Sequence, residues 1–259
     1  MKISHIVTNG CSFTFCQNLP IAKGWPALVA NNLDCPLVNL GLPGVGNDSI
    51  NRRTHEYLYH DTESKPLVII GWSQPWRREA WFHLKDRPYY GTPEYYTVPH
   101  PRDSITNAYD DWMLEHWSDE DFHRKTTLAK INLMNLFESL DIPYLMTDFM
   151  VQRDDEKICQ MVDKKFPKLA EKILSNKYYI NPAREFSMHY PNLPCGHQGE
   201  EAQVAVSDFI TSKIKELYPD LSFTKTEPYY SLADYSTTNL YHQKYPQWCK
   251  FKLNSDTIV

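Results

Sequence analysis

Ile6-Val7-Thr8-Asn9-Gly10-Cys11-Ser12-Phe13-Thr14 is the stretch whose reading decides the fold class. Residues 3 to 9 end in polar Thr8-Asn9-Gly10, the pattern of a buried parallel strand that stops at a tight, functional turn. The same design recurs downstream. Pro36-Leu37-Val38-Asn39-Leu40 predicts a second strand, followed by Gly41-Leu42-Pro43-Gly44-Val45-Gly46-Asn47-Asp48-Ser49. In that loop Gly frees the backbone for close approach, and Asn47 or Asp48 caps a helix running through Ile50 to Tyr59. Pro66-Leu67-Val68-Ile69-Ile70-Gly71-Trp72 is a continuous apolar run bounded by Pro and Gly, as befits the middle of a sheet.

Helical periodicity fills the gaps between strands. Trp25 to Asn32 reads as a short helix. A longer one resumes near Thr126 with Leu128, Ile131, Leu133, Met134, Leu136, Phe137 and Leu140, and leads into a strand at Ile142-Pro143-Tyr144-Leu145-Met146. Asp154 to Asn176 is amphipathic and partly helical, and His197 to Tyr218 predicts a helix with Ala202, Val204, Ala205, Phe209, Ile210 and Ile214 inward. Strands alternating with helices imply an α/β three-layer sandwich around a central parallel sheet of about five strands. Residues 1–220 form one such domain; 73–121, crowded with Pro, Tyr, Trp and His, read as an insertion, and 221–259 as an extension that wraps the surface or reaches a neighbouring subunit in a homo-oligomer.

Composition excludes several functions. A net charge of -5 over 259 residues carries no basic footprint for nucleic acid. No apolar run approaches the roughly 18 to 20 residues that cross a bilayer, and the N-terminus shows no export signal, so a soluble, cytoplasmic protein is expected. The six cysteines form neither a CxxC pair nor a disulfide framework and read as reduced thiols. No HExxH or Cys/His zinc spacing is present, so neither metal nor cofactor is implied.

Ligands of open parallel sheets gather at the carboxyl ends of strands. Three such ends are chemically loaded: Asn9 to Thr14, Asn39 to Asn47, and Gly71-Trp72-Ser73-Gln74. A serine becomes a nucleophile when a base removes its proton and fixed donors receive the oxyanion. Ser12 is the candidate nucleophile, and His197, in Leu193-Pro194-Cys195-Gly196-His197-Gln198-Gly199-Glu200, the candidate base. Side chains alternate about a strand end, so Cys11 and Ser12 point different ways and the thiol is not read as the nucleophile.

These blocks resemble the SGNH (GDSL-type) hydrolase family, whose nucleophile follows the first strand and whose flavodoxin-like sheet matches the pattern above. Gly10-Cys11-Ser12-Phe13-Thr14 looks like the GCSFT form of the first block, a variant of phage and bacterial members. The resemblance implies an oxyanion hole from the Ser12 and Gly44 N–H groups with Ser73, which stands where the family has Asn; Gln74 or Asn47 are auxiliary candidates. Pro194 and Cys195 occupy the family's Asp positions before His197, leaving Glu200, Asn192 or a backbone carbonyl as substitutes.

The implied activity is a serine esterase or deacetylase acting on a small ester or O-acetylated carbohydrate through a Ser-His dyad or degenerate triad, with Trp72, Trp76 and Arg77 contacting substrate. Two other readings stay open. One is a non-catalytic carbohydrate-binding or phage structural protein, virion-associated if phage-encoded; the other is an acyltransferase. The aromatic insertion reads as a lid or sugar-facing wall, or as a small satellite core.

Overall fold

Ile6 and Val7 are neighbours in the chain and both fully buried, yet they belong to different hydrophobic cores. Successive side chains of a strand point to opposite faces, so such a pair requires covering layers on both sides. The computed structural model describes residues 2–60, 64–81, 91–92, 95–98, 118–149, 164–180, 189–223, 229–232 and 251–252. Within them run β1 (Lys2–Ile3), β2 (Ile6–Gly10), α1 (Ser12–Phe15), α2 (Trp25–Asn32), β3 (Leu37–Asn39), α3 (Asn47–His60) and β4 (Leu67–Trp72). There follow β5 (Arg78–Trp81), β6 (Gly91–Thr92), β7 (Tyr95–Val98), α4 (Asp119–Ser139), β8 (Tyr144–Asp148) and α5 (Pro167–Leu174). The last elements are α6 (Glu200–Leu217), β9 (Ser222–Phe223), β10 (Tyr229–Leu232) and β11 (Phe251–Lys252).

The main sheet has the order β11-β10-β3-β2-β4-β8, parallel throughout except for β11. One face packs Ile6, Leu37, Leu67, Ile69 and Leu145 against Trp25 and Val29 of α2 and Val206, Ile210 and Ile214 of α6. The other packs Val7, Val38, Val68, Ile70 and Met146 against Ile50 of α3, Leu133 and Phe137 of α4 and Ile173 of α5. This is the expected three-layer α/β sandwich.

Several details differ from the sequence reading. Among the described residues the sheet has six strands, because Tyr229–Leu232 of the C-terminal extension pairs in parallel with β3 and is followed by antiparallel β11. Helix α4 begins at Asp119, where Ser118 Oγ accepts from Asp121 N at 3.2 Å and an acidic first turn meets the positive helix end. Helix α6 begins at Glu200, so His197 lies on the turn before it. Val204 is exposed, because the inner stripe of α6 instead includes Gln203, Ser207 and Thr211. Gln203 is tolerated inside because its Oε1 accepts from Trp25 N at 2.9 Å and from Cys16 Sγ at 3.4 Å.

Within the insertion β5, β7 and β6 form a separate three-stranded antiparallel sheet. Phe82, Tyr89, Tyr90, Tyr109, Trp112 and Trp117 lie outside the described residues, as does most of the extension. Among the described residues no helix is long and apolar enough to cross a membrane.

Candidate active site

Strand β2 has β3 on one side and β4 on the other, so chain order reverses at its carboxyl end. A crevice opens at such a point, and the loops after all three strands converge on it. Ser12 is the first residue of α1 and is buried there. Gly10 stands opposite Gly71 in register, and the Thr14 side chain fills the space both leave. A Cβ on Gly10 would meet Thr14 Oγ1 at 2.1 Å and Gly71 O at 2.6 Å; one on Gly71 would meet Thr14 Oγ1 at 2.5 Å. The Gly-Cys-Ser-Phe-Thr block is thus a packing unit in which two glycines admit the threonine and set the turn. Cys11 is buried in the core shared with α3 and α4, which takes it out of the crevice.

Two asparagines at strand ends and one at the start of α3 tie the loops together. Asn9 donates to Ile50 O and Thr54 Oγ1, both at 2.9 Å, and accepts from Gly10 N. Asn39 donates to Thr14 O at 3.0 Å and accepts from Gly41 N at 2.8 Å, joining the Ser12 turn to the Gly44 loop. Asn47 accepts from Ser73 N at 2.8 Å and donates to Ser73 O at 3.0 Å and Thr126 Oγ1 at 3.1 Å. With both amide protons engaged, Asn47 holds Ser73 in place and is not an oxyanion donor itself, which corrects the sequence reading. Removing a buried amide leaves its partners unsatisfied at about 1–3 kcal/mol. Asn39→Ala is therefore expected to lower unfolding free energy by about 2–4 kcal/mol in urea titration, with the urea midpoint shifted and the slope unchanged.

Gly44 adopts φ 78, a left-handed conformation suited to glycine, and neither its N–H nor that of Ser12 is hydrogen-bonded among the described residues. The Ser73 hydroxyl accepts from Arg77 Nη1 at 3.4 Å. Gln74 is buried with no hydrogen bond to its amide among the described residues, so it too can supply a donor.

His197 is presented by a tight turn in which Gly196 takes φ 82, Gly196 N donates to Leu193 O and Leu193 N donates to His197 O. Its ring packs on Phe13, centroid to centroid 5.2 Å, beside the Ser12 turn. Burial and the nearby Arg77 guanidinium hold its pKa below 6.5, opposed by a hydrogen bond to the Cys195 backbone. The Ser12 hydroxyl and the His197 ring are not hydrogen-bonded to one another among the described residues. Nδ1 instead lies 3.4 Å from Cys195 Sγ.

Among the described residues no carboxylate hydrogen-bonds His197. Glu200, a candidate from sequence, is half exposed and paired with Lys23 at 2.7 Å. Asp148, at the end of β8 and opposite Trp72, is held by Lys130 at 2.9 Å and by the Tyr179 hydroxyl, a partly buried cluster that the sequence reading did not anticipate. Asn192 forms a bridge with Gln198 across the turn. Trp72 cannot contact substrate: it is fully buried on the face shared with Ile70, two residues earlier on the strand. Trp76 and Arg77 are only partly buried and follow Ser73 closely. Among the described residues no three His, Cys, Asp or Glu side chains assemble into a metal site.

No family model matches this chain, and no curated protein matches its sequence. Solved structures do. TesA superposes with a TM-score of 0.52 at 13% identity over 83% of this chain and 99% of its own. The psychrotrophic esterase EstA from Pseudoalteromonas sp., in a form inhibited by monoethylphosphonate, gives 0.53 at 14% identity over 84% and 100%. The fold is that of the SGNH hydrolases.

Proposed function

We propose that this protein is a serine esterase of SGNH type, a deacetylase acting on a small ester or an O-acetylated carbohydrate. One observation carries the reading: the turns bearing Ser12 and His197 meet at the same rim, the Phe13 and His197 rings 5.2 Å apart. The esterase activity named for EstA, which shares the fold, supports it. Ser12 attacks the acyl carbon while His197 Nε2 takes its proton and returns it to the leaving alcohol. The Ser12 and Gly44 N–H groups receive the oxyanion with the Ser73 hydroxyl, which accepts from Arg77 and keeps its own proton to donate. Substrate binding draws His197 onto Ser12, since catalytic hydrogen bonds tighten in the Michaelis complex.

The test is covalent labelling with a fluorophosphonate probe, mapped to a peptide, together with p-nitrophenyl acetate turnover. Label on Ser12 and measurable hydrolysis are expected. A second reading, a non-catalytic carbohydrate-binding or phage structural protein, is favoured by the open Ser12–His197 pair and the missing carboxylate. Glycan-array binding that survives Ser12→Ala, with no labelling of the wild type, would decide for it.

The base must be neutral to accept a proton. With the His197 pKa below 6.5, kcat is expected to hold through pH 6.5 and fall only as pH drops through that depressed value. Arg77→Gln removes one cause of the depression, so the acid limb moves to higher pH; a limb that stays put would detach Arg77 from the base.

A further inference from the structure

We propose that Cys195 is the third member of this site, its sulfur accepting the Nδ1 proton of His197 in the orienting role that a carboxylate fills in a Ser-His-Asp triad. The inference rests on the assignment of Ser12 and His197 given above. With Nδ1 protonated and bound to sulfur at 3.4 Å, Nε2 is left with its lone pair, the tautomer a general base needs. The opposite arrangement, S–H donating to Nδ1, would put the proton on Nε2 and silence the base.

Three further observations favour sulfur as the acceptor. The acids within reach of the rim are engaged elsewhere, Glu200 with Lys23 and Asp148 with Lys130 and Tyr179. The turn that holds His197 also holds Cys195, so ring and sulfur are fixed to one another by the same Leu193–His197 main-chain bonds. The thiol pKa is lowered, chiefly through main-chain hydrogen bonding from His197 and then from the Asn18 side chain. These donors stabilise negative charge on sulfur and hold the thiol below 9.0. Arg77 is the charged group facing the imidazole from the β4 side. Cys195 is also exposed, whereas Cys11, Cys16 and Cys35 are buried, so alkylation reaches it before them.

The experiment compares the full-length wild type with Cys195→Ala, Cys195→Asp and Ser12→Ala. Ester turnover and the His197 tautomer, read from ¹⁵N chemical shifts, are measured on each. Cys195→Ala is expected to lower kcat about 10- to 100-fold at unchanged KM and to shift the ring toward Nε2–H, while Cys195→Asp restores both. Iodoacetamide, whose iodide leaves as the thiolate forms a thioether, should inactivate the wild type and leave the residual rate of Cys195→Ala unchanged. If Cys195→Ala keeps the wild-type rate and the Nδ1–H tautomer while Ser12→Ala is inactive, the backbone carbonyl alone orients the ring; the Cys195 role is overturned and the esterase stands. If Ser12→Ala is as active as wild type, the esterase reading fails, and the tautomer of Cys195→Ala still decides the sulfur's role.

Discussion

Ser12→Ala is expected to lower p-nitrophenyl acetate turnover by about 10³-fold or more, His197→Ala to fall to the same level, and the double variant to fall no further. Nucleophile and base act as one unit: without the base the hydroxyl keeps its proton, and without the hydroxyl the base has no proton to take. What remains in all three is the contribution of the oxyanion donors at Ser12 N, Gly44 N and Ser73, none of which these substitutions remove. Ser12 is buried and small, so its loss should leave the melting temperature nearly unchanged. Losses that multiply in the double variant would show two independent contributions and contradict a common catalytic unit.

The second large effect falls on stability. Gly10→Ala would set a methyl group 2.6 Å from the main-chain oxygen of Gly71, an atom held in the centre of the sheet. Trimming Thr14 relieves only the contact at 2.1 Å, because the backbone oxygen cannot rotate away. Overpacking of this kind costs about 1–3 kcal/mol and more where backbone must move. Gly10→Ala is expected to lower the melting temperature by roughly 6–12 °C, with Thr14→Ala failing to restore it. A Gly10→Ala protein as stable as wild type would mean that β2 and β4 can separate at their ends.

The strands of the sheet were legible because their faces are both buried, which writes them as continuous apolar runs such as Leu67 to Trp72. The proposed roles of Ser12, Gly44, Ser73 and His197 come from the order of their blocks along the chain. The asparagines were harder to read. Asn39 and Asn47 follow strands or precede a helix like ordinary turn residues, and only the convergence of three loops turns them into ties between Ser73, Thr14 and Gly41. Trp72 was misassigned to substrate although its period-two relation to Ile70 pointed inward. Tyr229–Leu232 was missed because four residues carry too little periodicity to announce a strand, and its partner lies far away in sequence.

That last pairing has a consequence for synthesis. The outer rim of Leu37–Asn39 is sealed by residues made about 190 positions later, which at roughly 5–20 residues per second means a wait of about 10–40 s on the ribosome. During that interval the nascent chain presents an open row of amide and carbonyl groups, the template on which other extended chains dock. The unfinished molecule is therefore expected to be a target for chaperones until its own tail arrives to close the gap.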